Sequence, residues 1–64
     1  MENNVIKLMQ SMGRVLAESE ENAIKFIDGN KSAGTRLRKN MQEVKRFAQT
    51  IRTEVQEQKN ALVV

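Results

Sequence analysis

Proline is absent from the 64-residue sequence, and one strong turn signal, Asp28-Gly29-Asn30, lies near its middle. Glycine readily adopts the positive φ that ends a helix, and Asn30 or Ser32 can accept backbone N–H bonds that start the next one. On both sides of that break, apolar residues return in steps of four and three. Upstream they fall at Val5, Met9, Met12, Leu16, Ala23 and Phe26, with Ser19 in the one polar slot. Downstream they fall at Leu37, Met41, Val44, Ala48, Ile51, Val55 and Leu62, interrupted by Gln58. Such spacing makes one face of a helix apolar, and strand alternation fits neither half. The pattern predicts an all-α unit spanning residues 1–64, with helix 1 over about 3–28, a turn at 29–31 and helix 2 over about 32–60.

The two stripes fit each other as an antiparallel hairpin. If the chain reverses at residue 30, Ala23 faces Leu37, Ser19 faces Met41, Leu16 faces Val44, Met12 faces Ala48, Met9 faces Ile51 and Val5 faces Val55. Phe26 then faces Gly34, whose missing side chain leaves room for the ring. Large residues meet small ones, as interdigitated packing prefers. Ile6, Leu8, Val15, Ile24, Ile27 and Phe47 are expected off this seam. A monomer would expose them, so a homodimer forming a four-helix bundle is expected.

Composition removes several classes of chemistry. There is no Cys and no His, which excludes disulfides, Cys/His zinc sites and imidazole catalysis. Glu18, Glu20 and Glu21 do not form a metal cluster, because Glu20 and Glu21 point different ways on a helix. Gly29, Gly34, Ser32 and Thr35 match no nucleotide-binding fingerprint, and a capped turn with a packing glycine accounts for them. Met1, Met9, Met12 and Met41 are expected as adaptable core filler. The reading is therefore not an enzyme, with no catalytic residue, cofactor, metal or small-molecule substrate. The stretch from Val5 to Leu16 is interrupted by Lys7, Gln10, Ser11 and Arg14, so no membrane span or signal peptide is expected. A soluble cytoplasmic protein is expected.

Charge supplies the functional signal. Residues 1–28 carry three basic against five acidic side chains, a net of −2, while residues 29–64 carry eight against three, a net of +5. On helix 2, Arg38, Lys45, Arg52 and Lys59 recur at every seventh position, with Lys39 and Arg46 beside them. Placing Leu37 at heptad position d puts the first four at e and the other two at f, with the acids of helix 2 at c and g. A cationic ridge of this kind can neutralise phosphates along a duplex. At the start of helix 2, backbone amides assisted by Lys31 and Arg36 could hold one phosphate. The competing reading is a solvated bundle flank, in which Glu20 and Glu21 pair with Arg38 and Lys39. With two aromatic residues and no base-reading module, duplex binding would be independent of sequence.

The run Gly29-Asn-Lys-Ser-Ala-Gly-Thr-Arg-Leu-Arg-Lys39, continuing Asn-Met-Gln-Glu-Val-Lys45, resembles the bacterial histone H1-like proteins, the family typified by the chlamydial nucleoid-condensing histone and including short, tail-less members. The resemblance covers residues 20–60 and is concentrated in the turn and the first half of helix 2. It implies a nucleoid-associated protein that binds double-stranded DNA and serves chromosome compaction, with Lys31, Arg36, Arg38 and Lys39 as phosphate contacts. The chlamydial member carries a long Lys-rich tail, whereas this sequence closes on Ala61-Leu-Val-Val64, so the hairpin itself would have to bind. The expectation is a dimeric, non-specific duplex-DNA binder acting through Lys31, Arg36, Arg38, Lys39, Lys45, Arg46, Arg52 and Lys59. Two alternatives stay open: a coiled-coil module that recruits another protein helix, and a hairpin dimer that binds RNA.

Overall fold

The computed structural model describes residues 3–62 as two helices, α1 (Asn4–Ile27) and α2 (Lys31–Leu62), packed against each other as a hairpin. The Asn3 side chain accepts a hydrogen bond from the Val5 amide at 2.8 Å, which caps α1. Gly29 ends α1 with φ of 104°. The Gly29 amide donates to the Phe26 carbonyl and the Asn30 amide to the Lys25 carbonyl, both at 3.0 Å. Those two bonds form a Schellman motif, satisfying carbonyls the helix leaves open. Asn30 then caps α2, its Oδ1 accepting from the Ala33 amide at 3.1 Å. One residue thus closes the first helix and opens the second.

The antiparallel register agrees with the sequence expectation. Phe26 lies over Gly34, where an added Cβ would come within 2.6 Å of the ring. At the open end the side-chain amides of Asn3 and Gln58 exchange hydrogen bonds of 3.0 and 3.1 Å. Between these points Asn22 donates to Asn40 at 2.8 Å.

The rotation of each helix about its own axis differs from expectation. The seam is formed on α1 by Val5, Leu8, Met12, Val15, Ser19 and Asn22, and on α2 by Ala33, Leu37, Asn40, Val44, Phe47, Ile51, Glu54 and Gln58, all buried or half-buried. Leu8, Val15 and Phe47 therefore belong to the seam. Met9, Leu16, Met41, Ala48 and Val55 do not; they lie exposed along its edge. The cause is that α1 carries two overlapping stripes. Val5, Met12, Ser19 and Phe26 belong to both, and steps of three and four connect them equally well to Leu8/Val15/Asn22 or to Met9/Leu16/Ala23. The α2 pattern has the same ambiguity. A two-helix seam can bury only one combination, and the buried one includes the polar residues Asn22 and Asn40.

Those asparagines are accommodated because their amides are paired. Arg36 Nε donates to Asn22 Oδ1 at 3.1 Å, Asn22 Nδ2 to Asn40 Oδ1, and Asn40 Nδ2 to Glu18 Oε2 at 2.6 Å. The buried Ser19 hydroxyl donates to the Val15 carbonyl at 2.7 Å. Among the described residues no buried side-chain polar atom lacks a partner. Ala33 is the one fully buried apolar residue among them. The hairpin measures 54 × 20 × 11 Å, a slab one helix thick with two broad sides.

Candidate nucleic-acid interface

With the seam residues of α2 placed at heptad positions a (Leu37, Val44, Ile51, Gln58) and d (Ala33, Asn40, Phe47, Glu54), the cationic row moves from e to b. It comprises Arg38, Lys45, Arg52 and Lys59, with Lys39 and Arg46 at c rather than f. The correction follows from the same rotation that redraws the seam. It carries the cations away from α1 and towards the outer face of α2. Because α2 begins at Lys31, that residue is helical and extends the row one heptad towards the turn. Its place seven residues before Arg38 was a readable signal, hidden by assigning residue 31 to the turn.

The outer face of α2 is built from rows b, c and f. Row f contributes Thr35, Gln42, Gln49 and Gln56, and row c adds Ser32, Thr53 and Asn60 to its two cations. Seven basic residues and no acidic one lie on this face. Glu43 and Glu57 fall on row g and Glu54 on the seam. Successive row-b cations are about 10.5 Å apart, and Lys31 to Lys59 spans about 42 Å at 1.5 Å per residue. That length slightly exceeds one turn of B-DNA, roughly 34 Å. The interleaved Gln and Thr side chains can donate hydrogen bonds to phosphate or sugar oxygens without reading bases.

All eight residues singled out in the sequence are exposed. Seven share the outer face; Arg36 does not. It projects from row g over one broad side, where it borders a cleft with Glu18, Glu21, Asn22, Lys25 and Asn40. Its Nε is held by Asn22, which ties it to the hairpin's polar network. Glu18 and Asn40, which sequence reasoning left aside, belong to the same network. A buried asparagine in a polar helix reads as surface until its partner across the seam is known.

A two-helix hairpin with a continuous acid-free cationic helix face defines a class of protein suited to electrostatic contact with an extended polyanion. The chain belongs to the histone H1-like protein Hc1 family, whose model matches residues 6–61. That match reaches well into α1, beyond the segment where the sequence resemblance is concentrated. No curated protein and no solved structure matches the chain. Membership in this family places the chain among DNA-binding, nucleoid-associated proteins. No described helix is long and apolar enough to cross a membrane.

Proposed function

We propose that this protein binds double-stranded DNA without sequence preference, as a nucleoid-associated homodimer, through the outer face of α2. The carrying observation is the seven-cation, acid-free face from Lys31 to Lys59. Arg and Lys neutralise phosphates and release condensed counterions, which supplies affinity with no turnover and no cofactor. Arg38, Lys45 and Arg52 are the central contacts, flanked by Lys39 and Arg46. Lys31 and Lys59 extend the row at its ends. Arg36 contributes long-range attraction from the neighbouring broad side. The near-absence of buried apolar side chains in one hairpin supports self-association.

The test is a triple substitution, Arg38→Gln, Lys45→Gln and Arg52→Gln, on positions that contribute nothing to the seam. Each phosphate contact adds about 0.9 to the salt slope, so the slope should fall by about 2.7 and affinity at 0.15 M salt by on the order of 100-fold. The loss should be equal for unrelated duplex sequences. A folded triple variant with unchanged DNA affinity overturns the assignment of this face.

A further inference from the structure

The two broad sides of the hairpin differ in kind. One carries the polar network and the clefts around Glu43, Arg46 and Thr50. The other carries the unused apolar stripe: Met9 and Leu16 from α1, and Met41, Val55 and Leu62 from α2. At the open end, Val5 and Ile6 join Val55 and Leu62 around one shallow apolar depression, which puts both helices' stripes on the same side. Met9 and Leu16 are 48% and 45% exposed. The side measures about 54 by 20 Å, on the order of 1,000 Å² per chain, which is enough for a stable dimer.

The margins of this apolar side show what covers it. Along the α2 margin run Lys31, Arg38, Lys45, Arg52 and Lys59. Along the α1 margin, at the equivalent row, run Ile6, Gly13, Glu20 and Ile27, which include no cation. A membrane or an acidic surface would be served by cations on both margins. A second copy is served by this asymmetry, because a twofold axis can lay each cationic margin against a cation-free one.

Two twofold arrangements bring the apolar sides together. With the axis perpendicular to the helices, α2 lies on the partner's α2. The cationic row of α2 then lies against the same row of the partner's α2, like charges along the whole margin. With the axis parallel to the helices, α2 lies on the partner's α1 and both turns sit at the same end. Glu20, the one acidic residue among the described residues on the rows of this side, then lies between the partner's Arg38 and the partner's Lys45. Gly13, where an added Cβ would have nothing within 4 Å, lies between the partner's Lys45 and the partner's Arg52 and leaves both space.

We infer that the protein is a four-helix dimer joined through the Met9/Leu16/Met41/Val55 side, with α2 packed on the partner's α1 and the two turns at one end. This rests on the proposed homodimer and specifies its geometry. It also shapes DNA binding. The two outer faces of α2 point in opposite directions, so one dimer holds two separate duplexes. The alternative arrangement would merge them into a single surface for one duplex.

The sequence has no Cys, so a single Asp28→Cys spin label beside the turn reports the arrangement directly. Solution mass should be twice 7.3 kDa. Electron–electron distance measurement should give about 20–30 Å, the width of two to three helices. A Gln56→Cys label towards the open end should give a similar distance. A dimer whose turn labels lie nearly as far apart as the 54 Å hairpin length overturns this topology while leaving dimerisation intact. A monomeric mass overturns dimerisation itself, and flotation of that monomer with anionic vesicles would assign the apolar side to a membrane. As a functional readout, bead-bound duplex should capture a second, labelled duplex in proportion to added dimer; tight binding without capture contradicts the opposed faces.

Discussion

The buried amide pair Asn22/Asn40 offers a sharp test of how the seam is held. Asn40 is 3% exposed and Asn22 5%. Asn40→Ala removes the acceptor for Asn22 Nδ2 and leaves that donor inside the seam, a cost of about 1–3 kcal/mol. The freed Glu18 carboxylate is exposed and rehydrates, adding little. Alanine returns roughly 0.6 kcal/mol of helix propensity. The expected net destabilisation is about 1–2 kcal/mol, a Tm decrease of roughly 5–15 °C for a domain of this size. Asn22→Ala should behave similarly, because it strands the Asn40 acceptor and releases Arg36. The double variant leaves no stranded partner, so its loss should fall short of the two single losses combined by about 1 kcal/mol. Thermal unfolding followed by far-ultraviolet circular dichroism, at one fixed chain concentration, measures the cycle. Strictly additive effects, or a single variant more stable than the parent, would refute a coupled pair.

Other positions give simpler outcomes. Gly29→Ala places a β-carbon at φ of 104° and should destabilise by about 1–2 kcal/mol, lowering Tm without altering DNA affinity per folded molecule. Gly34→Ala forces aside the Phe26 ring, which is half exposed and free to swing. Its lost packing should nearly cancel the propensity gain of about 1 kcal/mol, giving a small Tm change with a larger change in Phe26 aromatic-proton shifts by NMR. Leu16→Lys, on the apolar side but off the seam, should dissociate the dimer in sedimentation while leaving the monomer helical. A fully dimeric Leu16→Lys protein would contradict the assigned interface.

The legible and illegible parts of this molecule separate by physical cause. Gly29 marked the turn because one backbone conformation is open to glycine and costly to other residues. Phe26 over Gly34 was legible because a large ring opposite an absent side chain is a pairing that only one register provides. Helix rotation was not legible in the same way. Stripes through Met9 and Leu16 or through Leu8 and Val15 have identical periodicity, and choosing between them requires knowing that Asn22 and Asn40 satisfy each other across the seam. The cationic row was visible as a seven-residue repeat. Its heptad position inherited the rotation error, and Lys31 was cut off by placing the helix start one residue late. Arg36 looked equivalent to its neighbours until its bond to Asn22 separated it from them.

The most direct measurement for the central claim is fluorescence anisotropy of a labelled random-sequence duplex, titrated with the protein at several salt concentrations. With four to six cations of one outer face engaged, the logarithm of the association constant should fall linearly with the logarithm of salt concentration, with a slope of about −4 to −5. Unrelated sequences should give the same line. Absence of binding at low salt, or affinity independent of salt, would contradict a phosphate-neutralising role for the outer face of α2.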